Sequence, residues 1–454
     1  VSISFKVFKD TYVDSVVQLS GMRAMRALDG VEWASAAMGT PANVATLGEE
    51  GVAASELEGV RANDFFIVVR ATQEDAAHDA LAAGEAAAFS ARPQTEGSTL
   101  ADPRSLREAV TRQPESNVAV ISVPGEYATL AAYQALSQGL HVLLFSDNVP
   151  LEKEIALKDY ARGRGLLVMG PGAGTAVLAG ACLGFANVVT RGRVAVVAAA
   201  GTGAQEAMCL LDRWGVGVSH VIGLGGRDMS EEVGGRMALS AISALRDDPG
   251  TDVILFVSKP PAASVATAVL ASAGQVPLVA ALIGLDPGFT APDGVVLADT
   301  LESGVLATLD RLAHPKPDTT VTQGPTIARA RSRMDPGRTL VRGLFSGGTL
   351  CYESLVILGR ALGEIRSNTP INTAWGLPAP DGSHQCLDLG EEEYTKGRPH
   401  PMIDAEARIE MLHEHAGDPR VAAIILDVVL GHGANPDPAG ILAPHCEAVM
   451  ADGG

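Results

Sequence analysis

Short, unbroken apolar runs alternate along this chain with stretches where apolar residues return at helical spacing, a rhythm that predicts a layered α/β protein. Ile3 to Phe8, Val31 to Met38 and Phe65 to Arg70 read as strands. Between and after them, Tyr12 to Leu28, a short stretch at Pro41 to Glu49, and Thr72 to Phe89 read as helices. Together they make an N-terminal α/β unit over residues 1–92, of a ferredoxin-like kind. Ala91 to Asp102, with two prolines, reads as a linker. Ser105 can cap a helix running to Arg112. Strands at Val118 to Val123 and Leu140 to Phe145 then alternate with helices at Tyr127 to Ser137 and Leu151 to Arg162. That alternation implies a parallel, doubly wound, Rossmann-like unit over 103–190.

The next pattern occurs twice. Arg193 to Ala200 is a strand-like run of small and β-branched residues that empties into Gly201-Thr202-Gly203, followed by Ala204-Gln205-Glu206 and a helical pattern. Thr339 to Phe345 likewise empties into Ser346-Gly347-Gly348-Thr349, followed by Leu350-Cys351-Tyr352-Glu353 and a helical pattern. Asp248-Pro249 precedes a strand at Val253 to Val257, and Asp418-Pro419 precedes a buried strand running from Val421 to Leu430. The chain thus predicts two copies of one α/β unit, at 191–313 and 337–454, joined by a linker over His314 to Pro336. A helix that begins at a glycine turn leaves three or four N–H groups unpaired at the positive end of its dipole, which suits a phosphate. The expected phosphate-binding residues are therefore Gly201, Thr202 and Gly203 in the first copy and Gly347, Gly348 and Thr349 in the second. Ligands in such sheets sit at the carboxyl ends of the strands, so Arg227, in the loop after Ser219 to Ile222, and Lys259 should border the same crevice.

Composition narrows the function classes. With 34 Lys and Arg against 53 Asp and Glu, the net charge is −19. Such a surface repels nucleic acid and anionic membranes, yet a local basic cluster can still hold a small anion. Five cysteines without a close pair suggest neither a disulfide framework nor a zinc ribbon, and a reducing cytoplasm is the simplest home. No signal peptide is expected, because Lys6, Lys9, Asp10 and Asp14 break up the first residues. The uncharged run Gly165 to Thr190 holds six glycines and Pro171, which suits strand, loop and strand rather than a membrane span. The missing initial Met and the stop at Asp452-Gly-Gly read as trimmed ends.

Several motifs fall in an order that resembles the α subunit of succinyl-CoA synthetase: Val123-Pro124, Gly170-Pro171-Gly172, Gly192-Arg193-Val194, Gly201-Thr202 with Glu206, and Gly223-Leu-Gly-Gly. Residues 338–440 are similar to the ligase domain of that enzyme's β subunit. Both halves on one chain, with Arg398-Pro399-His400-Pro401-Met402-Ile403-Asp404, resemble the FdrA family of acyl-CoA-synthetase-like proteins. The resemblance implies a Rossmann-like CoA-binding-type unit plus two flavodoxin-like ligase domains. It also implies that two helix N-termini hold one phosphate between them. The synthetases' phosphorylated histidine has no counterpart, since residues 285–299 contain no histidine. An ATP-grasp domain and the coenzyme A fingerprint are absent as well. The resemblance therefore implies one subunit of a carbamoyltransferase of the oxamate type, taking carbamoyl phosphate ready-made and working with companion protein subunits. The alternatives are an ADP-forming acyl-CoA synthetase, which would use CoA, and a non-catalytic regulatory or assembly protein.

In that scheme Arg227, Lys396 and Arg398 bind substrate through charge-assisted bonds, Glu206 and Glu353 join the catalytic group, and His400 or His384 handles a proton. No metal is expected. Each assignment has a plainer rival. Arg227-Asp228 can be a surface ion pair. Glu206 and Glu353 can simply stabilise helix dipoles. Glu391-Glu392-Glu393 reads as a solvated run. His413 and His415, two apart on a helix, point to different faces and make no chelating pair. His432 stands between glycines where a strand-end ligand residue would.

Overall fold

The computed structural model describes residues 2–11, 13, 15–89, 103–285, 288–319, 324–395, 399–431 and 434–451. The 91–102 linker, Lys396, Arg398 and His432 lie outside the described residues. By its contacts the chain divides into two units: residues 1–102 with 396–399, and residues 103–395 with 400–454.

In the first unit, β1 (Ser2–Phe8), α1 (Ser15–Arg26), β2 (Val31–Met38), α2 (Pro41–Glu49), α3 (Ala54–Leu57), β3 (Phe65–Ala71) and α4 (Glu74–Phe89) follow one another. The sheet has the order β1-β3-β2, antiparallel throughout. The continuous apolar run Phe65 to Val69 is buried because it forms the central strand, with both faces covered.

The second unit begins with α5 (Leu106–Arg112), β4 (Val118–Ile121), α6 (Gly125–Ser137), β5 (His141–Leu144), α7 (Leu151–Arg162) and β6 (Val168–Met169). Strands β4, β5 and β6 make a small parallel sheet. The uncharged run that follows supplies the hairpin β7 (Thr175–Leu178) and β8 (Ala181–Gly184). This hairpin adds antiparallel to the next sheet, not to the Rossmann-like one.

That next sheet is built from β9 (Arg191–Ala198), α8 (Gly201–Arg213), β10 (Val218–Gly223), α9 (Arg236–Arg246), β11 (Val253–Ser258), α10 (Ala263–Ala271), β12 (Leu278–Leu282), β13 (Val295–Ala298) and α11 (Leu301–Arg311). Its order is β13-β12-β11-β9-β10-β7-β8. The stretch read from sequence as a linker contains a helix, α12 (Gly324–Arg333), whose Ile-Ala-Arg-Ala-Arg run favours helix although it stays exposed. Last come β14 (Leu340–Phe345), α13 (Gly348–Leu362), β15 (Ile365–Arg366), β16 (His384–Asp388), α14 (Glu392–Thr395), α15 (Glu406–Ala416), β17 (Val421–Leu426) and α16 (Pro438–Ala451), with the sheet order β15-β16-β14-β17.

The two sheets repeat one pattern: β9 lies between β10 and β11, as β14 lies between β16 and β17, all parallel. Their helices share one core, in which Val196, Met208 and Leu211 join Phe345, Cys351, Tyr352 and Leu355. Strand β17 stops at Leu426 although the apolar run continues to Leu430. Asp427 turns its carboxylate inward there, and Val428 and Leu430 are exposed. Among the described residues no helix is long and apolar enough to cross a membrane.

Candidate functional site

Strands β9 and β14 end at glycine turns, and the helices they feed start face to face. A Cβ added at Gly347 would stand 2.6 Å from Thr202 Cγ2, and one added at Gly203 would stand 2.8 Å from Thr349 Cγ2. Each turn's threonine thus packs where the other turn has no side chain. Gly203 and Gly347 are there for this close approach. Gly201, by contrast, has open space on its Cβ side.

Beside the paired turns lies a cavity of about 720 Å³. Gly201, Thr202, Gly347, Gly348 and Thr349 line it, with Lys259, Asp388 and His400. Helices α8 and α13 have no side-chain N-cap. The N–H groups of Gly201, Thr202 and Gly203, and of Gly348, Thr349 and Leu350, have no hydrogen-bond partner among the described residues. Two neighbouring helix starts are treated differently, whereas α10, whose N-cap residue Ala262 also lines the cavity, has no side-chain cap either. Asp228 accepts from Met237 N–H (3.0 Å) and Ala238 N–H (2.9 Å) at the start of α9. Glu353 Oε1 accepts from Leu301 N–H (2.7 Å) at the start of α11. Asp228 closes the first of these, Glu353 joins the Thr300–Ser303 capping box at the second, and the starts of α8 and α13 stay open.

The second turn is braced from behind. Asp427 accepts from Ser346 N–H (2.8 Å) and Oγ (2.9 Å) through Oδ1, and from Gly347 N–H (2.8 Å) through Oδ2. The buried Arg408 guanidinium stands 3.2 Å from Asp427 Oδ1 and offsets that buried charge.

Around the cavity, Asp388 is 3% exposed and its Oδ1 accepts from Gly390 N–H at 3.0 Å. Burial pushes its carboxyl up to about 6, against the pull of Lys259. The Lys259 ammonium stands 5.9 Å from the centre of the Tyr352 ring and has no ion-pair partner among the described residues. His400 Nδ1 accepts from Met402 N–H (3.2 Å), and burial lowers its pKa. The ring is therefore held neutral with its proton on Nε2, as a donor rather than a base.

Several expected site residues stand elsewhere. Arg227 is directed away from the cavity: its Nη2 donates to Val149 O (2.7 Å) and pairs with Glu154 at 2.8 Å. Its neighbour Asp228, fully buried, binds Lys158 Nζ at 2.8 Å, so it is no surface ion pair. Glu206 and Glu353 do not line the cavity. They sit one helical turn back, where burial raises both carboxyls. The bond to Leu301 makes Glu353 an added acceptor at the start of α11, whose N-cap is Thr300 in a capping box with Ser303. His384 Nδ1 accepts from Val341 N–H (3.1 Å) and serves the backbone at the far end of β16. His413 meets His445, not His415, with 3.0 Å between ring nitrogens.

Sequence reasoning missed Asp388 and Asp427. Each closes a strand beside β14, a position that the parallel topology makes ligand-facing, and that position was the available signal.

Comparison with known proteins adds the following. Residues 1–103 match the family model of the AllF heavy metal-associated domain, and residues 344–452 match that of CoA-ligase. The chain is 41% identical over 448 residues to the uncharacterized protein YahF of Escherichia coli, covering 97% of this chain and 86% of that one. It is 27% identical over 155 residues to the α subunit of succinate–CoA ligase (ADP-forming) of Methanothermobacter thermautotrophicus, covering 34% of this chain and 52% of that one. The α subunit from Staphylococcus aureus is 25% identical over 259 residues, 56% of this chain and 81% of the subunit. The residues present do not fit a heavy metal in the matched N-terminal domain. Soft metals call for thiolates or thioethers, and residues 1–103 hold no cysteine, one histidine, His78, and three methionines, of which Met22 and Met25 are buried in the core.

Proposed function

Because the chain belongs to the family of Escherichia coli YahF, a succinyl-CoA-ligase-like group with an AllF-type N-terminal domain, we propose that its cavity holds the phosphoryl group of an acyl phosphate. The chain then serves an acyl transfer of the acid–thiol ligase type. The observation that carries this is the pair of open helix starts: the unpaired N–H groups of Gly201, Thr202, Gly348 and Thr349 belong to residues that line one cavity with Lys259, while carboxylates reach the starts of α9 and α11. Donors fixed in that way stabilise the charge that grows on phosphate as it leaves, with no reorganisation at the moment of reaction. His400 Nε2–H supplies one more donor in the same cavity.

CoA, when bound, supplies a thiol as acyl acceptor. The far end of the cavity fits its thiol-bearing arm. Phe145 and Phe185 form an apolar wall with ring centroids 5.4 Å apart, and Gly172, at φ +69°, leaves room before the Asp147 carboxyl.

The chemistry of His400 favours a second reading of the phosphate's origin. A ring protonated on Nε2 is not a nucleophile at that atom, and residues 285–299 hold no histidine. The acyl phosphate would then arrive ready-made, with carbamoyl phosphate the simplest, and the chain would be a carbamoyltransferase subunit with companion chains in the cytoplasm.

Thermal unfolding tests the site. Acetyl or carbamoyl phosphate should raise Tm by an amount set by RT ln(1 + [L]/Kd), on the chain alone or reconstituted with companions. Gly348→Val should abolish the shift, because a Cβ there overlaps Asp388 Oδ2 and stands 3.0 Å from Lys259 Nζ. Protection that survives in this variant refutes the paired-turn site. Thioester formed from acetyl phosphate and CoA supports the ligase reading, and carbamoyl transfer without thioester supports the second.

A further inference from the structure

Asp388 has a free oxygen where an anion is expected. Its Oδ2 has no hydrogen-bond partner among the described residues and lies against Gly348 at the open start of α13, beside Lys259 Nζ. The side chain is 97% buried, being 3% exposed, and lines the cavity. A carboxylate oxygen accepts hydrogen bonds and gives none, so a second anion can approach it only if one of the two carries a proton. The groups that face Asp388 do not supply that balance. Lys259, after β11, is the cation, while Glu391, after β16, and Asp427, after β17, add negative charge. Cys351 on α13 is held as the thiol by burial, and His400 is neutral.

We propose that Asp388 is a specificity-determining residue, which admits to the cavity a tetrahedral anion that shares a proton with its Oδ2, so that phosphate is held and sulfate is refused. Monohydrogen phosphate brings the proton itself, as an O–H donor to Oδ2. An acyl phosphate is a proton-free dianion near neutrality, as sulfate is, so it binds only with a proton taken up on Asp388 and more weakly there than monohydrogen phosphate. Sulfate has no proton to share near neutrality, and its approach leaves two unscreened negative oxygens in contact. The inference rests on the reading that this cavity binds a phosphoryl group, and it makes inorganic phosphate, which the acyl transfer releases, the anion the site prefers near neutrality.

Calorimetric titration of the full chain with inorganic phosphate and with sulfate tests it. At about pH 7.5, phosphate should bind at least about tenfold more tightly than sulfate. In Asp388→Asn, whose amide can donate to either anion, the two affinities should come within about threefold of each other. Equal binding by the wild type at neutral pH, or discrimination that survives in the variant, overturns the proposal. Should the variant fail to fold, the wild type still decides: sulfate affinity should climb as the pH falls through about 6, and a flat profile overturns the proposal. If phosphate itself does not bind at any pH, the phosphoryl site is wrong and the selectivity falls with it. Phosphate binding without selectivity removes only the role of Asp388.

Discussion

The two glycine turns share a topology and differ in what flanks them. Beside the first, the neighbouring strands end in Gly223 and in Ser258 followed by Lys259. Beside the second, they end in Asp388 and in Leu426 followed by Asp427. One copy therefore brings a cation and empty space to the cavity, and the other brings two carboxylates. The difference teaches that a repeated strand–turn–helix motif specifies backbone and helix direction, while the ends of the adjacent strands set the charge of the site. One carboxylate, Asp427, has become part of the second turn itself. The first turn has no internal anion of that kind, and its close fit to the second turn holds it in place.

If that contrast is right, the largest single effect should come from Asp427. Asp427→Ala removes three acceptor bonds and leaves the Arg408 guanidinium buried without its countercharge, its bond to the residue 427 carbonyl alone remaining. A loss of about 3–5 kcal/mol in chemical denaturation is expected. A loss under 1 kcal/mol would mean that the turn stands without its brace.

Asp388 should give the next effect, and one that depends on pH. Its pKa is raised from the ordinary 3.8 to about 6, so its contribution to stability is full below 3.8 and is lost as pH rises through about 6. Asp388→Asn should thus gain on the order of 2–3 kcal/mol over the wild type at about pH 8 and nothing near pH 3.5. A difference independent of pH would show that Asp388 is not held near 6.

Gly203→Val should cost roughly 1–3 kcal/mol by overpacking, since even a Cβ there stands 2.8 Å from Thr349 and 3.1 Å from Val257. The smallest change belongs to Gly201→Ala, where open space surrounds the new methyl. Its stability should stay within about 0.5 kcal/mol of the wild type, and a larger loss would mean that the first turn is packed as tightly as the second.

The sequence by itself determined what is local or periodic. Apolar runs such as Val194 to Val197 and Val253 to Val257 could only be strands covered on both faces, and a glycine turn before a helical pattern fixed where open N–H groups would appear. The repeat gave two like turns, because equal local patterns form equal local structures, while their facing one another was implied only by the resemblance to the synthetases. His400 could be suspected from its neighbourhood. Its tautomer could not, since that depends on a backbone N–H two residues on in a particular bend. Tertiary structure decided which charges meet. Arg227 follows a strand end, as a ligand residue would, yet Glu154 on α7 and the carbonyl of Val149 draw it elsewhere. Glu353 occupies the same place in its repeat as Glu206, but the start of α11 lies within its reach, and its carboxylate takes the Leu301 N–H there. Asp388 and Asp427 stand far along the chain from Lys259 and the first turn, and nothing in the intervening spacing joins them. Parallel sheets bring distant strand ends to one edge, so the charge of a strand-end site is a sum over segments that local sequence cannot add up.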